Sequence, residues 1–306
     1  MGTEATVLPW SLAVQLNPRS LARHLEREAR QQYRKLRIEL GLHRHLHGSR
    51  PVLVYSLAKV GTQSLRHVIE AKVGRPVVHC HYIATEPNWT ESLRGRESEP
   101  APLYPSDVWR GDYLRRRLAR DQTGRWDVVC GVRDPLAKQV SAVFQINDLF
   151  AHLETDDTDD DKIRTTLDLL HREVVHGDIG LDWFDVELGA VTGIDVYAEP
   201  FPHEAGYQVY ENDRFRILLI RFEDLNRVGP SALSAFFDAD IEELPRSNAA
   251  GDKDYRDLYR AFQDRTTMPP EVLDVTYGSR LAQHFYTPAE LAEFRARWEH
   301  SPSRGT

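Results

Sequence analysis

Two short segments carry side chains whose types and spacing suit anion chemistry. In Lys59-Val60-Gly61-Thr62-Gln63-Ser64-Leu65 a lysine stands two residues before a glycine, and hydroxyl residues follow where an apolar-periodic stretch begins. A helix start leaves backbone N–H groups without intrahelical partners and carries partial positive charge. A glycine there lets an anion approach the backbone, Thr62 and Ser64 can donate hydroxyl hydrogen bonds, and Lys59 adds a full charge. The order differs from a Walker A loop, which ends in Gly-Lys-Ser/Thr, so a triphosphatase of that kind is disfavoured. An ordinary strand-to-helix turn capped by Thr62 or Ser64 is the plain alternative. In the second segment Arg133 closes an apolar run, Asp134 suits an N-cap and Pro135 a first helical turn. Ser141 follows Arg133 by eight residues, about two helical turns on, so a guanidinium and a hydroxyl can flank one phosphate.

Three histidines could move a proton. His79 and His81 alternate in RPVVHCHY, which sets both on one face of a strand at its carboxyl end, the end where open α/β sheets hold their crevice. Histidine titrates near neutral pH and suits a general base; a satisfied core histidine is the competing reading for at least one of the pair. His203, in the Pro-rich and aromatic stretch EPFPHEAGY, is a third candidate. Trp183, Tyr197 and Tyr207 can stack on a sugar ring near it or simply fill the core.

These residues need a scaffold, and the apolar runs PVLVYSL, RPVVHCH, WDVVCGV and FRILLIR predict it. Short continuous apolar strands separated by helical stretches are the pattern of a parallel sheet covered by helices on both faces. Residues 65–73, 108–119, 136–150 and 163–175 have helical periodicity and are long enough for crossovers. The expected fold is an α/β one, a parallel β-sheet flanked by helices and doubly wound with right-handed crossovers. The run Glu154–Asp161, ETDDTDDD, is read as a solvated acidic loop or lid; it lacks the glycine and terminal glutamate of a calcium loop.

The 306 residues are 41% hydrophobic and 28% charged, as expected for a globular protein. They divide into a basic helical N-terminal extension, residues 1–48, and one main domain, residues 49–306. The net charge of −8 argues against nucleic acid as a partner, since phosphate-binding surfaces are broadly basic. Cys80 and Cys130 lie in apolar runs, predicting buried free thiols and a reducing compartment; no metal site is expected. No apolar stretch is long enough to span a bilayer or to act as a leader, and the expected location is cytoplasmic. Residues 19–50 hold nine Lys or Arg against three Glu. Leu21, Leu25, Ala29, Tyr33 and Leu36 recur there at helical steps. Such a helix packs on the main domain or touches a membrane surface or partner weakly.

Together the two anion-type segments resemble the sulfotransferases that use 3′-phosphoadenosine 5′-phosphosulfate, and the run LLIRFEDL, Leu218–Leu225, resembles that family's strand ending in an aromatic-Glu-Asp-Leu turn. The resemblance covers roughly residues 51–260 and is nearest to a bacterial branch named for capsular polysaccharide synthesis. It implies a P-loop-like fold in which Lys59 to Leu65 hold the 5′-phosphosulfate and Arg133 with Ser141 hold the 3′-phosphate. It also implies that Lys59 stabilises the leaving oxygen, and that the product is adenosine 3′,5′-bisphosphate. The stretch Arg246-Ser247-Asn248 through Lys253 resembles the family's C-terminal loop over the 3′-phosphate, with Ser247 and Asn248 departing from its pattern. Relatives end the second strand in Lys-x-His with the histidine as base, so His81 takes the base position and His79 the lysine's. Glu86 competes, since some relatives use a carboxylate. The implied activity is sulfuryl transfer to a hydroxyl of a carbohydrate or small molecule. The alternatives are a P-loop kinase-like enzyme, or a non-catalytic polysaccharide-assembly protein with the same fold.

Overall fold

A computed structural model describes residues 18–84, 105–121, 123–149, 158–176, 180–245 and 256–299. The chain separates into two compact units, residues 1–47 and 48–306. Among the described residues of the first, helix α1 spans Pro18–His45. The second unit is built on a five-stranded sheet in the order β2-β1-β3-β5-β4.

The strands β1 (Val52–Tyr55), β2 (Val77–Cys80), β3 (Trp126–Val132) and β5 (Phe215–Arg221) are the four apolar runs, and they pair in parallel. Every residue of β1 and β3 is buried, because helices cover both faces and no polar alternation is needed. Helix α2 (Thr62–Lys72) connects β1 to β2, and α3 (Pro105–Arg120) lies between β2 and β3 in the chain. Helices α4 (Pro135–Leu149) and α5 (Asp159–His176) follow β3. Beyond β5 come α6 (Leu225–Phe237), α7 (Arg256–Arg265), α8 (Pro270–Tyr277), α9 (Arg280–Phe285) and α10 (Pro288–Glu299).

Side chains alternate across the strands. Val52, Val54, Val129, Leu218 and Ile220 meet Leu65, Val68 and Ile69 of α2 and Val228, Leu233 and Phe236 of α6 in one apolar cluster. On the opposite face Tyr55 stacks edge-on against Trp183, ring centroids 5.0 Å apart.

The sheet is not wholly parallel. β4 (Tyr207–Glu211) forms the edge and runs antiparallel to β5. The hairpin turn is local chemistry: Asn212 Oδ1 accepts from the N–H groups of Arg214 and Phe215 at 2.9 and 2.8 Å, an Asx-type turn. The acidic run also departs from the expected loop: Asp159, Asp160 and Asp161 form the first turn of α5. Carboxylates at a helix N-terminus complement its dipole, which outweighs their mutual repulsion at an exposed site; residues 154–157 lie outside the described residues. Cys80 and Cys130 are both free and buried. Among the described residues no helix is long and apolar enough to cross a membrane.

The strand order decides where chemistry can occur. From β1 the chain moves outward to β2, then crosses back over β1 to β3. The reversal opens a crevice beyond the carboxyl ends of β1 and β3, the point at which doubly wound sheets bind ligands.

Candidate functional site

The segment leaving β1 is forced into its path. Lys59 has φ +68° and Gly61 φ +83°, both in the left-handed region that L side chains seldom occupy. A Cβ on Gly61 would lie 2.7 Å from Leu225 Cδ2 and 3.2 Å from Phe222 Cδ2, so the position needs glycine for its dihedral and for its space. Val60 is buried across Gly131 of β3, where an added Cβ would sit 2.8 Å from Val60 Cγ2. α2 then begins at Thr62 with Gly61 at its cap position, which has no side chain to close the start, so the first turn and the dipole end face the crevice. Thr62 is buried, while Gln63 and Ser64 are half-buried. Leu65 belongs to the core cluster and donates its N–H to Gly61 O at 3.2 Å. The row of amide donors therefore stops at Ser64, and Leu65 serves the packing rather than an anion.

Arg133, just past β3, reaches the same loop. Its Nη1 donates to Lys59 O at 3.0 Å, and its guanidinium lies 4.5 Å over the Phe222 ring. Among the described residues no carboxylate pairs with it. Asp134 next door is buried and caps α4, accepting from Leu136 N at 3.0 Å and Ala137 N at 3.3 Å. Its own N–H donates to Glu223 Oε1 at 2.9 Å, while Tyr286 donates to Glu223 Oε2, also at 2.9 Å. Burial raises both carboxyl groups above their usual range. The Phe222-Glu223-Asp224-Leu225 turn thus touches both other segments: Phe222 underlies Arg133 and crowds Gly61, Glu223 fixes the backbone at Asp134, and Leu225 closes on Gly61. Ser141 is half-buried within α4.

His79 and His81 lie at the carboxyl end of β2, with ring centroids 4.5 Å apart and nearly perpendicular. His81 Nδ1 is 2.6 Å from Ser56 O. A carbonyl only accepts, so Nδ1 carries the hydrogen and Nε2 keeps its lone pair. Burial lowers the His81 pKa most, with Arg110 and Lys138 adding to the lowering, while the Ser56 bond and Asp107 oppose it.

The backbone just beyond is clamped. Trp183 Nε1 donates to His81 O at 2.9 Å. A Cβ on Gly111 of α3 would lie 2.0 Å from Tyr82 O. Glu187 Oε2 accepts from Ile83 N at 2.8 Å, Ala84 N at 3.0 Å and Tyr55 OH at 2.5 Å. Glu187 is 1% exposed and sits in a short π-helical turn, Phe184–Gly189, a distortion frequent at functional sites. Sequence reasoning missed it, because one glutamate in WFDVELGAV reads as an exposed helix position. Glu187→Ala is expected to destabilise the fold by about 3 kcal/mol or more, since three buried donors lose their acceptor at ~1–3 kcal/mol each, whereas Glu187→Gln retains an acceptor oxygen and most of the stability. Urea unfolding of both variants checks the difference; equal losses would contradict it.

His79 makes the stability depend on pH. Burial first, then the charges of His81, Arg110 and Arg66, lower its pKa from 6.5 to about 3, and its Nε2 is buried with no partner among the described residues. The folded protein keeps this ring neutral while the unfolded chain protonates below pH 6.5, so its stability contribution is complete above pH 6.5 and is lost as pH falls toward 3. At pH 5 the loss is about 2 kcal/mol. His79→Phe, which cannot protonate, is expected to flatten the stability profile between pH 7 and 5 by that amount; a profile parallel to the parent's would contradict this.

Comparison with known families enters at the second half of this arrangement. Residues 159–287 match the family model described as "Putative capsular polysaccharide synthesis protein". The matched stretch holds Glu187, β4, β5 and the Phe222–Leu225 turn, and ends before α10. The Lys59 loop, the histidine pair, Arg133 and Ser141 precede it. No curated protein and no solved structure matches the chain.

Within the capsular polysaccharide match, Trp183, His203 and Tyr197 are engaged in packing and hydrogen bonds. Trp183, open to a sugar platform or the core by sequence, is 2% exposed and stacks on Tyr55, which places it in the core; an indole beside an apolar strand gains more from the core than from water. His203 Nε2 lies 2.9 Å from His284 O, and His203 O accepts from Arg221 Nη2 at 3.1 Å. The ring packs with Phe201 as part of the seam holding α9. Tyr197 is covered by Arg280, 4.0 Å over its ring, and Tyr207 is half-buried on β4. Glu86, Arg246, Ser247, Asn248 and Lys253 lie outside the described residues.

Proposed function

We propose that this chain is a sulfotransferase that uses 3′-phosphoadenosine 5′-phosphosulfate and acts on a hydroxyl of a carbohydrate. One observation carries the reading: at the switch point of the sheet, a helix start with glycine at its cap position and a guanidinium without a carboxylate partner among the described residues converge on one loop, bridged by Arg133 Nη1 to Lys59 O at 3.0 Å. A bisphosphorylated adenosine fits such a cradle, since it brings two anionic groups to two cationic anchors. The first-turn amides at Thr62, Gln63 and Ser64, with Lys59, would hold the 5′ side, and Arg133 with Ser141 the 3′-phosphate. The donor, when bound, supplies an activated sulfuryl group.

The chain's own residues do the rest. The backbone strain at Lys59 and the Arg133 bond to its carbonyl pre-set the loop, which makes the donor groups available without reorganisation. His81 keeps Nε2 unprotonated in neutral solution because burial disfavours its charged form, and its Nδ1–H bond to Ser56 O fixes the ring orientation. Nε2 is thereby suited to take the acceptor's proton. The carbohydrate acceptor is inferred from the capsular polysaccharide match.

That match spans residues 159–287 and not the cradle, which favours a second reading: a non-catalytic polysaccharide-assembly protein with the same scaffold. Calorimetric titration with adenosine 3′,5′-bisphosphate, ATP with magnesium, and adenosine 5′-phosphate separates the two. The expected result is micromolar binding of the bisphosphate alone. Tighter magnesium-dependent ATP binding would move the case to a kinase, and silence for all three would leave the non-catalytic reading.

A further inference from the structure

Seven large hydrophobic side chains are 40% or more exposed among the described residues, and four of them, Leu25, Tyr33, Leu36 and Leu40, lie on α1, at 53%, 63%, 54% and 47%. With Ala29, also exposed, they recur at steps of four, four, three and four residues, which sets them on one stripe of the helix. From Leu25 to Leu40 the stripe runs about 22 Å. It is no scatter of single surface residues, which would need no explanation.

The charge on one side of the stripe is mostly positive. Arg30, Arg34, Arg37 and Arg44 are all exposed, and at 100° per residue they fall on one flank adjoining the apolar residues. Among the described residues, only Arg30 of the four has an ion pair, with Glu26 one turn earlier at 2.5 Å. The sequence of α1 holds eight Lys or Arg and three Glu, a formal charge of +5, in a chain whose net charge is −8. The remainder therefore carries −13, and the cationic and apolar surfaces are concentrated on one element.

We propose that α1 lies in the interface of an anionic lipid bilayer, its Leu25-Ala29-Tyr33-Leu36-Leu40 stripe buried among the acyl chains and its arginine flank on the lipid phosphates. Charge complementarity selects an anionic surface, and the apolar stripe selects lipid over nucleic acid, which offers nothing to cover leucines. Arginine stems lie along apolar surface while the guanidinium reaches outward, so a flank next to the stripe matches the headgroup depth. The helix would hold the main unit at a membrane surface without spanning it, and this is independent of the donor that the cradle takes.

Flotation of the full-length protein with vesicles of phosphatidylcholine alone, and of phosphatidylcholine with phosphatidylglycerol, tests it, with a single-stranded RNA oligomer as competitor. The expected result is partition to the anionic vesicles only, weakened by salt. Arg30→Gln/Arg34→Gln/Arg37→Gln should lower the partition coefficient about 100-fold, from the ordinary attraction per basic residue at an anionic surface. Leu36→Glu/Leu40→Glu should abolish it while leaving the melting temperature of the main unit unchanged. Absence of vesicle binding at low salt, binding indifferent to the leucine replacements, or displacement by RNA would each overturn the proposal.

Discussion

Turnover of His81→Ala is expected to fall by about 10²–10⁴-fold, the usual contribution of a positioned general base, with affinity for adenosine 3′,5′-bisphosphate unchanged. The Nδ1 contact with Ser56 O at 2.6 Å fixes the tautomer, and the Trp183, Glu187 and Gly111 contacts fix the backbone on which the ring stands. Burial lowers the pKa, so the ring stays neutral below pH 6.5 and loss of base activity appears only in more acid solution. His81→Gln supplies a second variant that can keep a donor to Ser56 O. Initial rates of bisphosphate release with a carbohydrate acceptor, alongside calorimetry, read both halves of the expectation. Unimpaired turnover in both variants would remove His81 from the chemistry, and lost bisphosphate affinity would make it a cofactor residue instead.

Arg133→Ala is expected to weaken binding of adenosine 3′,5′-bisphosphate by roughly 100- to 10,000-fold, from two charge-assisted hydrogen bonds worth ~1.5–3 kcal/mol each, and to weaken adenosine 5′-phosphosulfate far less. On the proposed reading Arg133 has two tasks that the two nucleotides separate. Its salt-type contact acts only on a ligand carrying the 3′-phosphate, whereas its bond to Lys59 O supports the loop for any ligand. Arg133→Lys keeps charge but not the planar fork stacked on Phe222, so its affinity should be intermediate. Equal losses for both nucleotides would mean that Arg133 acts through the loop alone.

The parallel core was legible because its strands are uninterrupted apolar runs. The Lys59–Ser64 turn and Arg133 were legible because each stands at the carboxyl end of such a run. What could not be read was the dependence of one segment on another. Glu187 lies over a hundred residues from the Ile83 and Ala84 amides it accepts from, and no local pattern marks that pairing. β4 was missed because a five-residue edge strand with mixed burial lacks the continuous apolar signature. Trp183 stayed open between core and sugar platform since aromatic side chains suit both, and only the neighbouring Tyr55 decides between them. Leu65 belonged to the resemblance's loop but to the core in fact, because helical period turns the fourth residue of the motif's helix inward.

The antiparallel strand β4 also bears on how the molecule behaves at high concentration. An outermost strand offers a row of backbone groups to any extended neighbour, and Val209, 43% exposed, adds an apolar contact point. Edge-to-edge stacking of copies is opposed here by brevity and by charge: β4 is five residues long and ends in Glu211, which is ion-paired with Arg125 at 2.7 Å. Charged, short edges are how sheet proteins remain soluble, so neutralising Glu211 is a route to aggregates that leave the ligand crevice intact.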